Sequence, residues 1–195
     1  MDKTAIRIRT GKAALLAGLC FSALLANAAT VSVDCDAGNT IAAALANVKP
    51  GDTVLVSGTC KEQVSFAPEM VRITLDGQKK TTIQHPGSKS APSPHTVFIR
   101  GKDITIKGIT VVGGLDGIHL SGPASAELDG NVVIRAARAG IHIDKGSIVR
   151  VLNNTVEESG AMGIDITGTS LAYIGVRIPR LPALSPNTIR NNSGP

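Results

Sequence analysis

Apolar and polar residues alternate in short runs along this chain, and one run recurs. Gly117-Ile118-His119-Leu120 returns as Gly140-Ile141-His142-Ile143 and again as Gly163-Ile164-Asp165-Ile166, each glycine 23 residues after the last. In a strand, such alternation places the isoleucine and leucine side chains on one face and the residue between them on the other. The constant spacing predicts that each strand stacks on the equivalent strand of the previous repeat.

The connections between these strands determine the architecture. Parallel strands usually need helical crossovers, but no amphipathic helix of about ten residues separates these runs, so the connections must be turns. Asn131 and Asn154 share the spacing of 23 residues, and asparagine at a turn can bond its equivalent in the next coil. Glycine before each strand would permit a sharp bend. We therefore predict an all-β solenoid whose Ile141 and Ile164 are buried in one column.

The N-terminal part predicts a cap over the open end of the stack. A strand over residues 30–34 precedes a short helix, which Asn39 or Thr40 can cap through its side-chain oxygen. A second strand over residues 53–56 closes at Ser57-Gly58. The helix would shield strand edges that could otherwise pair with another chain. The predicted helical face consists of Ile41, Ala44, Leu45 and Val48.

Two segments interrupt the repeat. Residues 84–95 and residues 178–186 are rich in proline and predict loops that project from the stack. Residues 97–99 between them resemble one more strand. The sequence stops at Pro195, where the next Gly-Ile strand would be due, and no C-terminal cap is visible. We therefore expect a β-helix domain over residues 29–195 that is truncated at its C-terminal end.

The first 28 residues have the features of a signal peptide. Four basic residues precede the apolar run from Ala13 to Ala26, and Ala26-Asn27-Ala28 has the small-x-small form of a cleavage site. The run is short for a membrane span, although an uncleaved anchor is the alternative. The chain has 20 Lys and Arg and 15 Asp and Glu; without this segment 16 and 14 remain, a net charge of +2. We expect a secreted or periplasmic protein with no membrane span after cleavage and no nucleic-acid partner.

Two cysteines remain beyond the signal segment, Cys35 and Cys60. An exported protein folds in an oxidising compartment, where an even pair predicts a disulfide. Two free buried thiols are the alternative. A metal site is disfavoured because no histidine lies near either cysteine in the sequence.

The motifs along residues 30–192 resemble the pectate-lyase-like superfamily of right-handed parallel β-helices. The resemblance is carried by Lys49-Pro50-Gly51-Asp52-Thr53-Val54, by Gly58-Thr59-Cys60 and by the Gly-Ile-x-Ile and Asn-x-Val coils. It implies a single-stranded right-handed parallel β-helix, with the short helix as its N-terminal cap. Members often bind, cleave or epimerise acidic polysaccharides. The superfamily's hydrolase and lyase signatures are missing: the sequence has no Gly-His-Gly with paired aspartates and no tryptophan.

The residues between the inward isoleucines are the candidates for chemistry. His119, His142 and Asp165 share one outward position in successive coils, about 4.8 Å apart, and Asp144 lies diagonal to them. Such a cluster could supply acid and base or hold a metal. We expect a solvated face instead, because outward strand positions are polar in every coil.

The other polar and aromatic residues give weaker signals. We expect His85 and His95 to be solvated in their loop. Arg135 and Arg138 predict surface charges, with contact to an acidic sugar as the alternative. Phe98 and Tyr173 are the plausible stacking aromatics.

Three functions follow from these observations. The first is an exported β-helix that presents a surface to a polysaccharide or a cell surface without catalysis of its own. The second is a lyase, hydrolase or epimerase acting on acidic glycans, for which calcium is the ion that lyase chemistry would add. The third is a structural or adhesin-like passenger. We expect no other cofactor and assign no oligomeric state.

Overall fold

The structure, a computed structural model, describes residues 28–87, 94–178 and 181–194, with only the backbone of residues 176–178 and 181–184. The predicted signal peptide lies outside the described residues apart from Ala28, and so do residues 88–93 of the first predicted loop. The described chain contains one helix, α1 (Ile41–Leu45), and 17 strands. The strands are β1 (Thr30–Asp34), β2 (Thr53–Lys61), β3 (Val64–Phe66), β4 (Thr74–Gln84), β5 (Val97–Ile99), β6 (Ile104–Val112), β7 (Asp116–Leu120), β8 (Ser125–Asp129), β9 (Val132–Ile134), β10 (Ala139–Ile143), β11 (Ile148–Leu152), β12 (Thr155–Glu157), β13 (Ile164–Ile166), β14 (Leu171–Ile174), β15 (Val176–Ile178), β16 (Leu181–Leu184) and β17 (Thr188–Arg190).

The strands form a right-handed parallel β-solenoid of about six turns, as predicted. One sheet has the order β3, β5, β7, β10 and β13, with all its strands parallel. The larger sheet follows β1, β2, β4, β6, β8, β11 and β14, and β9, β12 and β17 pair alongside. The long strands β4 and β6 span the part of a coil that later coils divide between two shorter strands.

Stacking of equivalent residues builds the interior. Ile118 pairs in register with Ile141, and Ile141 pairs with Ile164. Ile118 and Ile141 are fully buried, which confirms the predicted burial of Ile141 but not that of Ile164. Ile164 is only partly buried, and Ile166 is 42% exposed, because β13 is the edge strand of its sheet within the described residues.

An asparagine ladder fixes one corner of successive coils, as the spacing predicted. The Asn131 side-chain amide donates to Asn154 Oδ1 at 3.0 Å, and the Asn154 amide donates to Asn187 Oδ1 at 3.1 Å. Each amide also donates to a backbone carbonyl of the preceding coil, that of Ile106 or Leu128. Because Asn131 and Asn154 are 1% exposed, these bonds satisfy polar groups that have no access to water.

The glycines that precede the strands serve close packing. A Cβ at Gly117 would collide with the Val133 side chain and lie 2.8 Å from the Gly140 carbonyl oxygen; Gly140 meets Val156 in the same way. Neither glycine has a positive φ. The expectation that they provide a sharp bend is therefore wrong, and the absence of a side chain is what the fold requires there.

The N-terminal cap is close to the prediction. Thr40 caps α1 by accepting from the Ala43 N–H, and Ile41 and Leu45 are buried. The helix ends earlier than the predicted face, although Val48 still packs against the core. Cys35, in the turn that follows β1, forms a disulfide with Cys60 of β2, which confirms the predicted bridge.

Two boundaries differ from the predictions. β2 does not close at Ser57-Gly58 but continues to Lys61, because Gly58 adopts a φ of 82° and turns the strand between two faces. The second interruption contains an antiparallel hairpin, β15 and β16, which returns the chain to the corner so that Asn187 joins the ladder.

Candidate functional site

The outward column of the five-stranded sheet carries the candidate residues. Strand register places Ser65, Phe98, His119, His142 and Asp165 on successive rungs. The His119 and His142 rings stack with centroids 4.5 Å apart and an interplanar angle of 15°. The sequence-predicted ladder therefore exists, with Phe98 below it at 5.2 Å from the His119 ring.

This column is not a solvated face where the histidines lie. His119 is 8% exposed and His142 is 6% exposed, although both point away from the coil interior. The expectation of exposure was wrong because strand alternation describes one coil, whereas neighbouring side chains cover this part of the sheet. Asp144 and Asp165 are partly buried at its edge.

Asp116 is the centre of the cluster. It opens β7 opposite Ala139 of β10 and is fully buried. The Arg138 guanidinium donates to both of its oxygens, from Nε at 2.9 Å and from Nη2 at 2.5 Å. The same Nη2 lies 2.6 Å from His142 Nδ1. Arg138 is therefore a partner of the cluster rather than a free surface charge, and the expectation for it is corrected.

His95 joins the cluster from the first interrupting loop. Its Nδ1 lies 3.0 Å from Asp116 Oδ2, and its Nε2 lies 2.9 Å from His119 Nδ1. The side chain is 12% exposed, so the expectation of a solvated His95 is also wrong. Neither His95 nor Asp116 obeys the 23-residue spacing that revealed the ladder. The sequence signal that was missed is their position at the start of the strands that carry the column. His95 lies just before β5, and Asp116 is the first residue of β7.

Burial and charge set the protonation of the cluster. Burial raises the pKa of Asp116, but hydrogen bonds from His95 and Arg138 and the Arg138 charge outweigh it, so the pKa lies well below its usual range. Burial, reinforced by the neighbouring basic groups His95 and His142, lowers the pKa of His119 to about 4 against the opposing effects of Asp144 and Asp116. At pH 7 Asp116 is therefore an anion and His119 is neutral.

The contact between His119 Nε2 and Asp144 Oδ1 is close but is not a hydrogen bond. The two atoms lie 3.4 Å apart, both are inaccessible to water, and neither has a hydrogen-bond partner within the described residues. Burial raises the pKa of Asp144, yet its hydrogen bond with Ser121 and its interactions with neighbouring basic groups, Lys145 among them, lower it overall. The contact thus pairs a neutral imidazole with a carboxylate. On the next rung, His142 Nε2 lies 3.4 Å from Thr167 Oγ1 and 3.5 Å from Asp165 Oδ2.

The cluster does not fit calcium. Ligand atoms of His119, His142 and Asp144 lie within 4.8 Å of one another, and so do those of His95, Asp116 and His119. Each set offers two ring nitrogens and one carboxylate, whereas calcium takes six to eight oxygen ligands. Asp116 is already engaged by Arg138.

The remaining candidates lie apart from these contacts. Arg135 is exposed at a turn with a φ of 56°, and His85 is half-buried at the start of its loop. Tyr173 is 37% exposed on β14, in the other sheet. Phe98 is thus the predicted stacking aromatic that the fold brings to the cluster.

This protein is a right-handed parallel β-helix that carries a buried polar cluster on the outer face of one sheet. The chain belongs to the family described as the right handed beta helix region, whose sequence profile matches residues 94–193, half of the chain. The structure resembles the crystal structure of pectate lyase Pel9A with a TM-score of 0.60 and 15% sequence identity. The resemblance covers 74% of this chain and 46% of the pectate lyase, so the chain spans about half the length of that enzyme.

These comparisons confirm the pectate-lyase-like fold, and at this identity they bear on the fold alone. No curated protein matches the chain in sequence. The described residues hold no helix with the length and apolarity that a membrane crossing requires.

Proposed function

We propose that this chain is an exported protein that binds a polysaccharide over the outward face of β5, β7, β10 and β13 and acts on it by proton transfer at His119. The contact between His119 Nε2 and Asp144 Oδ1 carries the proposal. Two buried polar atoms without hydrogen bonds are costly in a folded protein, by about 1–3 kcal/mol for each group. Such atoms are expected where a ligand completes the bonding.

The surroundings of this contact support proton transfer. His119 is neutral at pH 7 because its pKa is lowered to about 4, so its ring can accept a proton. Its other nitrogen contacts His95, which in turn contacts the Asp116 carboxylate. A base whose ring is held by a second group is the arrangement that orients histidine in many acid–base sites.

The structural neighbour and the signs of export both support an extracellular polysaccharide as the substrate class. The neighbour is a pectate lyase, which makes pectate the first polysaccharide to test. The signal-like N-terminus and the Cys35–Cys60 disulfide favour export, because disulfides persist in oxidising compartments.

Two reactions fit a base at His119. In an elimination, the base takes a proton from the carbon beside a uronate carboxylate, the carbon–oxygen bond of the linkage breaks, a carbon–carbon double bond forms, and the leaving oxygen gains a proton. In a hydrolysis, the base takes a proton from water, the water oxygen bonds to the anomeric carbon, the bond from that carbon to the linkage oxygen breaks, and the leaving oxygen gains a proton. The elimination product absorbs ultraviolet light, whereas hydrolysis yields reducing ends without that absorbance.

The test is a screen of the purified exported protein against pectate, alginate and a neutral glucan, with and without calcium. Both ultraviolet absorbance and reducing ends are measured. We expect His119→Gln to lower turnover by at least about 100-fold, the usual contribution of a general base. Arg150→Gln is the matched control, because Arg150 is exposed and lies on β11 in the other sheet. Full activity of His119→Gln would exclude this site.

Binding without catalysis is the second candidate, and one observation favours it. His119 Nε2 and Asp144 Oδ1 are fully covered, so a substrate must displace a side chain to reach them. Asp144 is the side chain that can move, since it is only partly buried. Calorimetric binding of a glycan that the protein does not cleave would establish this candidate in place of the first.

A further inference from the structure

We infer that His119 and His142, at equivalent positions on adjacent coils, hold opposite neutral tautomers, so that the cluster offers a glycan one proton acceptor beside one proton donor. The identity of the ligand rests on the proposed function. The tautomers rest on three contacts, two of which include a group that can only donate or only accept hydrogen bonds.

Arg138 sets the tautomer of His142. A guanidinium has donors and no acceptor, and Arg138 Nη2 lies 2.6 Å from His142 Nδ1. His142 Nδ1 must therefore be the unprotonated nitrogen, and the ring hydrogen is on Nε2. The competing contact, from Nδ1 to Asp116 Oδ2, is longer at 3.4 Å. The Nε2–H then faces Asp165 and Thr167, both of which offer acceptor oxygens.

Asp116 sets the tautomer of His119 through His95. Ionised Asp116 can only accept, so His95 Nδ1, 3.0 Å away, carries a hydrogen. When His95 carries that hydrogen alone, its Nε2 accepts from His119 Nδ1 at 2.9 Å. His119 Nε2 is left with a lone pair that faces Asp144 Oδ1 at 3.4 Å.

This assignment explains why the contact between His119 and Asp144 lacks a hydrogen bond. A lone pair faces a carboxylate oxygen, and neither can donate to the other. A sugar hydroxyl placed there would donate to one of them, and a neighbouring hydroxyl could accept from His142 Nε2–H on the adjacent rung. The ligand that fits is a glycan ring with two neighbouring free hydroxyls.

The same argument assigns roles to residues that the ligand does not touch. His95 and Asp116 are positioning residues for His119, and Arg138 is the positioning residue for His142. Two rings that sequence and strand register make equivalent thus become different because their partners on the Nδ1 side differ.

Nitrogen-15 NMR of the histidine side chains tests the inference without any substrate. The chain has four histidines, so few resonances need assignment. At a pH of about 8, where neutral imidazole dominates, we expect a pyrrole-type shift for His119 Nδ1 and a pyridine-type shift for its Nε2. His142 should show the reverse pattern. One common tautomer for both rings would overturn the inference.

Two variants separate positioning from general structural effects. His95→Ala removes the acceptor, so His119 should shift toward the Nε2–H form while His142 keeps its pattern. His95→Gln should restore the wild-type pattern, because its amide can donate to Asp116 and accept from His119. An unchanged His119 in folded His95→Ala would also overturn the inference, and if that variant does not fold, the wild-type and His95→Gln spectra decide. Because the shifts are read without turnover, an inactive protein with opposite tautomers would refute only the proposed function.

Discussion

Lowering the pH from 7 to 5 is expected to destabilise the protein through His119. The imidazole lies 5.2 Å from the Phe98 ring and stacks on His142, so a positive charge there has little contact with water. The pKa of His119 is about 4 in the folded chain and about 6.5 when the ring is exposed. In this window the unfolded chain binds a proton that the folded chain does not, so stability falls as the pH falls.

The size of the effect follows from the two pKa values. One pKa unit corresponds to about 1.4 kcal/mol, so complete protonation costs about 3 kcal/mol, of which about 2 kcal/mol is lost by pH 5. The lowered pKa values of Asp116 and Asp144 affect stability only at a more acidic pH. Their contributions to stability are lost only as the pH falls toward and below 3.8, the ordinary value for an aspartate.

Urea denaturation at pH 7, 6 and 5 measures this effect, with the disulfide intact. The wild type should lose about 2 kcal/mol more of its unfolding free energy over this range than His119→Gln, which cannot take up the proton. Ser65→Ala is the matched control, since Ser65 is exposed on the same outward column and should leave the wild-type slope unchanged. Parallel stability curves for the wild type and His119→Gln would refute the argument.

Three further predictions concern the solenoid itself. Non-reducing peptide mapping should recover Cys35 linked to Cys60, and alkylation of both thiols without reductant would contradict this bridge. Reduction should lower the unfolding free energy by about 3 kcal/mol, because the bridge closes a separation of 25 residues. Ile141→Ala should cost about 3 kcal/mol in thermal or urea unfolding because the side chain is fully buried, whereas Ile148→Ala, at a 50% exposed site, should cost under about 0.5 kcal/mol; equal costs would show that the register is wrong. Asn154→Ala should cost about 3 kcal/mol in the same assay, since it leaves the backbone N–H and side-chain amide of Asn131 without their acceptor, and a near-neutral effect would mean that the ladder does not stabilise the corner.

The repeat made the fold predictable. A β-helix brings each position over its equivalent one coil away, so the spacing of Gly117, Gly140 and Gly163 determines strand register directly. The asparagine ladder could be predicted for the same reason, because Asn131 and Asn154 share that spacing. The structural requirement for glycine at these positions could not be predicted, because it depends on side chains such as Val133 from another face of the coil.

The candidate site was only half predictable. The repeat identified His119, His142 and Asp165, but it treated the outward face as solvent. Their burial depends on groups outside the periodic positions, above all His95, which comes from a segment that interrupts the repeat. An irregular loop has no spacing from which its contacts could be read. The pairing of Arg138 with Asp116 was missed for a related reason, because two charges 22 residues apart meet only once the strands are in register.

The energetics of the cluster fit the proposed ligand site better than a role in stability. A solenoid needs only its interior columns to fold, and Ser65 shows that an outward position can hold a small exposed residue. Buried ion pairs such as Asp116 with Arg138 are often no more stable than apolar residues of similar volume. His119 adds a cost at acidic pH, and its contact with Asp144 leaves two buried polar atoms without hydrogen bonds in the described chain. A ligand that supplies those bonds would recover part of this cost on binding. We therefore expect the protein to select most strongly for ligands that can hydrogen-bond at the His119–Asp144 contact.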